Sequence, residues 1–425
     1  MWNKLVQIWK TPDLRNKILF VLGMLVIFRI VAHIPIPGVD AVALRDFFSS
    51  NQVLGLLNIF SGGALENFSI VMLGVAPYIT ASIIMQLLTM IVPRLEELSK
   101  EGEYGQQKIN QYTRLLTIPL AVLQAYGFIA ILSGQAGARI MGELGTWQLV
   151  TSIITVTAGT VFLMWIGELI SERKIGNGIS LLIFAGIVAG LPQVVRQTVA
   201  TFDPSQLFMI IGFIVIALIT VVGVVVVTEA QRNIPITYAR MVRGNRMYGG
   251  ANTFLPLRLL QAGVIPIIFA ISLIIFPPMI AQFFLRSEAA WLVKIAEFTI
   301  NLFQNQLFYG IAYFILVFAF TYFYTAVIFH PQQIAENLQK QGGFIPGIRP
   351  GRNTSEYLGS TMNKIVFAGA LFLGLIAILP LVMQLFTGTQ ALVIGGTSLL
   401  IVVSVVIETV RQINAQLVMR DYDEL

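Results

Sequence analysis

Ten long apolar runs constrain this 425-residue chain more than any other feature of it. A helix needs about 20 apolar residues to cross the hydrocarbon core of a bilayer. Runs of that kind lie near residues 18–36, 68–92, 112–133, 146–170, 178–196, 207–228, 255–278, 307–329, 364–386 and 391–411. In lipid every backbone N–H and C=O must be bonded inside the protein, so only helices and closed barrels can span. The runs lack the polar–apolar alternation of barrel strands. The expectation is an all-α integral membrane protein with ten transmembrane helices. Charge agrees with it: 11% of the residues are charged, against roughly 25% in soluble domains, which is too few to cover a water-facing surface.

Lys and Arg set the orientation. Of 27 such residues, 21 fall on one side of the predicted membrane, five on the other, and Arg29 lies within span 1. Positive charge marks cytoplasmic loops, so both termini are expected in the cytoplasm. A missed span would scramble that alternation. Residues 1–17 are polar and place Trp2, Leu5, Val6 and Trp9 at helical spacing with Lys4 and Lys10 flanking them, as an interfacial helix does. The first apolar run ends in Ile34-Pro35-Ile36-Pro37-Gly38 without a small-residue cleavage site, and is expected to be a retained span.

Two segments repeat across the halves of the chain. Gly74-Val75-x-Pro77-x-Ile79-x-Ala81 returns as Gly263-Val264-x-Pro266-x-Ile268-x-Ala270, and Gly178-x-Ser180-Leu181-Leu182-Ile183 as Gly396-x-Ser398-Leu399-Leu400-Ile401. Span 2 thereby pairs with span 7 and span 5 with span 10, a five-plus-five duplication. Because five is odd, the copies run in opposite directions through the membrane. Such inverted repeats place a site or passage at the interface of the halves. Residues 18–200 form the first half, 201–411 the second, and 412–425 a cytoplasmic tail. The repeat aligns Ile79 with Ile268 and Ile183 with Ile401. Pro77 and Pro266 are expected to interrupt helices at mid-membrane, where broken backbone is tolerated next to protein or a cavity. Four isoleucines gathered there would form an apolar constriction that resists water and ions by dewetting. Ordinary helix packing is the competing role for the same residues.

Chemistry is sparse. Cysteine is absent and only His33 and His330 are present, so thiolate chemistry is excluded and no metal site is expected. No aspartate lies inside a span, and neither a His-Glu-x-x-His nor a phosphate-binding Gly-x-x-x-x-Gly-Lys-Ser/Thr motif occurs. No catalytic residue or cofactor is expected. Arg29, Glu168, Arg258 and Glu408 sit toward helix ends, where long side chains reach the interface. A passive conduit fits better than a charge-driven carrier; a five-plus-five secondary transporter of a small solute is the alternative, and a poreless membrane scaffold a third.

Three connections stand out. The 6/7 loop (229–254) carries Arg232, Arg240, Arg243 and Arg246, and the 8/9 loop (330–363) carries Arg349 and Arg352 within a Gly/Pro pattern that implies a shaped tip. Clustered arginine draws phosphate backbones, acidic protein patches or anionic lipid headgroups. The 1/2 connection is apolar but too short to cross, and is expected to re-enter the membrane or to lie on its outer surface.

These features resemble the SecY family of bacterial protein-translocation channels from the first span to the tenth. Ile34-Pro35-Ile36-Pro37-Gly38 resembles the family's end of helix 1, and Gly74 through Leu88 its helix 2 signature. Glu168-Leu169-Ile170-Ser171 with Gly176-Asn177-Gly178-Ile179-Ser180 resembles its second signature, Pro346 through Gly351 its 8/9 tip, and Gly395 through Ile401 its helix 10. The resemblance implies a central hourglass pore through which unfolded polypeptides pass, with a hydrophobic ring at Val75, Ile79, Ile183, Ile187, Ile268 and Ile401. It implies a plug at Asn58, Ile59, Phe60, Ser61, Gly62, Gly63, Ala64 and Leu65. A lateral gate between helices 2, 3, 7 and 8 would carry Thr80, Gln124, Gln261 and Ser272, for which a local helix–backbone hydrogen bond is the competing role. Arg240, Arg243, Arg246, Arg349 and Arg352 would dock the ribosome, through its RNA, or the SecA motor ATPase. SecE and SecG subunits, signal sequences, nascent polypeptides and anionic lipids are the other implied partners, and the bacterial plasma membrane the location.

Overall fold

The computed structural model describes residues 9–37, 39, 44, 63–135, 145–200, 207–238, 241–243, 246–248, 252–261, 263–285, 289–387 and 395–423. Among them a helix falls on each of the ten predicted spans. Spans 1–5 are Pro12–Val31, Ala76–Ile91, Glu103–Gln135, Thr146–Glu172 and Gly178–Ala200; spans 6–10 are Leu207–Glu229, Ile265–Phe284, Gln306–Ile328, Arg352–Thr387 and Gly395–Asp423. By length and composition seven of these cross a membrane unaided, and span 2 makes an eighth when joined to Pro93–Lys100, which bends away by 100°. Span 1 begins with Asp13, Arg15 and Lys17, and the apolar part of span 5 is the shorter stretch Gly178–Pro192. Span 9 has 36 residues, roughly 54 Å of helix, so it extends well beyond the hydrocarbon core.

The repeated Gly-Val-x-Pro segments have the same backbone. Gly74 and Gly263 both sit at φ +57°, in the left-handed region that favours glycine. Val75 and Val264 follow as helix caps, and each proline lies in the first turn of its helix. This corrects the expectation of interrupted helices. A proline in the first turn removes an N–H that has no intrahelical partner, so Pro77 and Pro266 start spans 2 and 7 and interrupt neither. Span 2 accordingly begins at Ala76, not near 68. The residues before it are buried turns that pair with the end of span 1: Ile36 N donates to the Phe68 carbonyl at 2.9 Å and Ile70 N to the Ile34 carbonyl at 3.1 Å.

The second repeated segment also opens helices. Asn177 Oδ1 accepts from the backbone of Ile179 and Ser180 and caps span 5. Ser171 Oγ donates to the Gly167 carbonyl and accepts from Gly178 N, tying the end of span 4 to the start of span 5. Gly178 itself rests on the Gly167 carbonyl, where a Cβ would collide.

Span 7 starts ten residues later than expected, because 252–258 is a strand. Strands β1 (Gln231–Tyr238), β2 (Met241–Arg243), β3 (Arg246–Tyr248), β4 (Asn252–Arg258) and β5 (Gly343–Phe344) build the 6/7 and 8/9 connections. β1 pairs antiparallel with β4 on one side and β5 on the other; β2 and β3 form a separate hairpin. The sheet, the helix Pro331–Lys340 and the start of span 9 close over a small core of their own. Ile234, Leu257, Ile345 and Leu358 are buried in it.

The main core lies between the spans, and the inversion is visible in its seams. Span 7 packs on spans 2 and 3 of the other half, and span 5 on span 10. A pseudo-two-fold relating 2 to 7 and 5 to 10 sets each partner against its own equivalent. The seam of spans 5 and 10, the rear of the molecule opposite span 7, is crossed by a hydrogen bond from Gln416 Nε2 to the Lys174 carbonyl, with Gly176 packed close to Thr409.

Candidate functional site

At the centre of this core the first turns of spans 2 and 7 meet the second turn of span 5 and the start of span 10. Val75, Ile79, Ile183, Ile187, Ile268 and Ile401 are all buried in one continuous apolar cluster. A cavity of about 80 Å³ lies on its front side, bounded by Val75, Ile79, Ile183 and Ile268 and by Leu65 and Leu73 of the segment before span 2. Ile187 and Ile401 belong to the cluster but do not border the cavity.

Volume alone would admit roughly five waters, but the walls decide otherwise. A buried water needs two to four polar partners, and the polar groups here are Thr80, Gln124 and Ser272. Thr80 Oγ1 donates to the Ala76 carbonyl at 3.1 Å, and Ser272 Oγ to the Ile268 carbonyl at 3.0 Å. Gln124 Nε2 reaches Thr80 Oγ1 across the span 2–span 3 contact at 3.4 Å. Thr80 and Ser272 donate to their own helices and Gln124 donates to Thr80, and with every other wall residue apolar the cavity favours apolar contents. Each of these bonds stays within its own half of the molecule.

Sequence reasoning did not select Phe128, Ile271, Ile275, Phe276 or Met279, which also border the cavity. Ile268, Ile271, Ile275 and Met279 recur at helical spacing along span 7, a signal present in the sequence. Gln261 lies in the turn before span 7 and does not border the cavity. Of the plug segment, Gly63, Ala64 and Leu65 are described; Ala64 and Leu65 are buried, and Ala64 belongs to the same cluster as the ring. Asn58 through Gly62 lie outside the described residues, as does most of the 1/2 connection.

The 8/9 tip is shaped as its composition implies. Gly342, Gly347 and Gly351 have positive φ, Ile345 is anchored in the cap core, and Arg349 projects into solvent. Thr354 Oγ1 donates to the Arg349 carbonyl at 2.9 Å and fixes the tip against span 9. Arg352 pairs with Glu356. Arg243 and Arg246 lie on the β2–β3 hairpin; Arg240 lies outside the described residues. Below the cap, Arg411 of span 10 bonds Glu229 of span 6 at 2.8 Å, and Arg114 of span 3 bonds Glu168 of span 4 at 2.7 Å. Glu168 is therefore an interhelical partner and not a free group at the interface. In the 2/3 connection a hydrogen bond from Lys100, reinforced by its charge, holds the Glu96 carboxyl below the usual range. Among the described residues no cluster of His, Asp or Glu has the makings of a metal site.

The SecY family profile matches residues 69–410. The protein translocase subunit SecY of Streptomyces coelicolor is 45% identical over the whole of this chain and 99% of its own. The Corynebacterium glutamicum subunit is likewise 45% identical, and that of Mycobacterium tuberculosis 43%, each over 100% of this chain and 99% of its own. Among solved structures, one described as a protein-conducting channel superimposes with TM-score 0.61 at 18% identity, covering 94% of this chain and 91% of its own. A SecY structure concerned with the plug domain and the closed channel gives 0.63 at 20% identity, with the same coverage. The ten-helix, two-half architecture is thus that of known channels, and the sequence kinship extends end to end. The chain belongs to the SecY family, the protein-conducting channel subunit of protein translocase, a multi-pass membrane protein and not an enzyme.

Proposed function

We propose that polypeptides pass this channel at the ring of Val75, Ile79, Ile183, Ile187, Ile268 and Ile401. The observation that carries the reading is the convergence of these six aliphatic residues, drawn from four spans and four of them paired by the internal repeat, in one buried cluster beside an apolar-walled cavity. Aliphatic side chains offer no hydrogen bonds, so a chain of any sequence can slide past them, and when the passage is empty they exclude water. Asn58 to Leu65 act as the plug on the outer side.

The lateral gate opens at the front seam, where span 7 faces spans 2 and 3 and where, among the described residues, Thr80, Gln124 and Ser272 bond within their own half. Gln261 marks its cytoplasmic end. A signal sequence or transmembrane segment leaves sideways here, driven by burial of its apolar surface at about 25 cal/mol per Å². The halves are residues 18–200 and 201–411, preceded by the interfacial segment 1–17 and followed by the tail 412–425. Both termini are cytoplasmic and the membrane is the bacterial plasma membrane.

Energy for movement comes from partners. Arg240, Arg243, Arg246, Arg349 and Arg352 form the docking face for the SecA motor or for ribosomal RNA, SecE and SecG complete the channel, and anionic lipids meet the basic cytoplasmic side. One solved relative in fold, at TM-score 0.57, is the Sec61 channel in a canine ribosome–channel complex. Nothing in the comparisons supports a small-solute transporter.

The test is protease protection of a signal-bearing precursor by liposomes holding the channel with its small subunits, the SecA motor and ATP. ATP-dependent protection is expected, with its loss in Arg349→Glu. Protection that survives Arg349→Glu removes that residue from the docking face. Absence of protection, with the motor active on a control channel, contradicts the conduit.

A further inference from the structure

The connection between spans 7 and 8 contains a helix, Ala290–Gln304, that the channel mechanism leaves without a role. Its residues fall into three stripes. Ala296 and Ile300 are buried against Ala281 of span 7 and Leu285. Lys294, Glu297 and Asn301 form an exposed polar stripe. Trp291, Ile295 and Phe298, at the i, i+4, i+7 spacing of one helix face, form a third stripe that is apolar and yet exposed, Trp291 by 64% and Phe298 by 67%.

We propose that this helix lies in the bilayer interface on the outer side, with Trp291, Ile295 and Phe298 sunk to the headgroup–acyl boundary and the polar stripe in water. Its occupant is lipid because its surroundings are. Phe284 at the end of span 7 and Leu307 and Ile311 at the start of span 8 are themselves exposed apolar residues, so the lipid-facing surfaces of both spans run up to the helix at its two ends. An amphipathic helix with an aromatic residue in its apolar stripe is the form that settles at this boundary. The placement on the outer side rests on the proposed orientation; residence in the interface does not.

The helix is also held stiffly. A single residue, Asn305, separates it from span 8, and Asn305 Oδ1 accepts from Leu307 N and Phe308 N. Phe303 and Phe308 pack edge to face across that corner at 5.3 Å. Helix, span 7 and span 8 thus form one rigid elbow, and its residence in the interface fixes the height of the span 7 wall that carries Ile268 and Ser272.

The chain has no cysteine, so single nitroxide labels can be placed without other changes. Ile295→Cys, Phe298→Cys, Glu297→Cys and Asn301→Cys all lie on exposed stripes and leave the packed one intact. In proteoliposomes, power saturation is compared with oxygen, which concentrates in lipid, and with a water-soluble nickel chelate. Labels at 295 and 298 are expected to show an oxygen-to-nickel accessibility ratio several-fold above those at 297 and 301. Equal nickel accessibility at all four positions would place the helix in water and overturn the proposal. Protection of 295 and 298 from both reagents would show a protein surface there, a second copy or another chain, and would overturn it equally.

Discussion

Each position of the proposed ring is aliphatic, and what that chemistry does is exclude water while binding nothing. Ile79→Asn or Ile401→Asn inserts an amide among groups that cannot bond it, so it recruits water; ion leak through the resting channel should rise and the demand for a hydrophobic signal sequence relax. Conductance in planar bilayers checks the first and secretion of precursors with weakened signals the second; no change in either removes the residue from the ring. Glycine carries a different burden. At Gly74, φ +57° makes Gly74→Ala cost about 1–2 kcal/mol, while Gly178→Ala drives a Cβ into the Gly167 carbonyl and must push spans 4 and 5 apart. A larger fall in thermal stability in detergent is expected for Gly178→Ala than for Gly74→Ala. Four members of the buried central cluster were legible in the sequence because duplication aligned them; Ile187 and Val75 entered only through the family resemblance. The prolines misled, because a proline inside an apolar run has no visible helix start beside it until the left-handed Gly74 and Gly263 are seen.

At the scale of elements, the helices were legible and the cap over the 6/7 and 8/9 connections was not. Spans 4, 6 and 8 fall within two residues of their predicted ends, since a bilayer demands continuous apolar length. The cap is built from short strands whose signals conflict. Pro235 and Pro256 sit inside β1 and β4 and argue against strands, and Phe254 to Leu257 merges by hydrophobicity with the span that follows. What decides the matter is pairing between residues far apart in sequence, such as Thr237 with Phe344, which local pattern does not carry. Ile345 is the pin of this unit. Truncation of a buried isoleucine costs about 2–5 kcal/mol, so Ile345→Ala should speed hydrogen exchange across 231–258 while leaving the spans protected. Exchange unchanged in the cap, or raised equally in the spans, would show that the cap is not a separate cooperative unit.

The whole molecule is two inverted halves with unlike seams. The rear is tied by Gln416 to the Lys174 carbonyl and by close packing at Gly176, whereas the polar groups of the front wall keep their bonds within their own half. Opening should therefore begin at the front. A disulfide or short crosslinker between cysteines placed at Thr80 and Ser272 should block release of transmembrane segments into lipid, and reduction should restore it; insertion that proceeds with the bridge intact would put the gate elsewhere. The central claim is that the translocating polypeptide threads the apolar ring, and the absence of native cysteine allows a direct test. A precursor with one cysteine is stalled midway through channels carrying Ile79→Cys, Ile268→Cys or, as a lipid-facing control, Ile311→Cys, and is then oxidised. Disulfides to positions 79 and 268, and none to 311, are the predicted result. A precursor that bridges to 311, or to none of the three while still protected from protease, would place the path outside the ring and contradict the account.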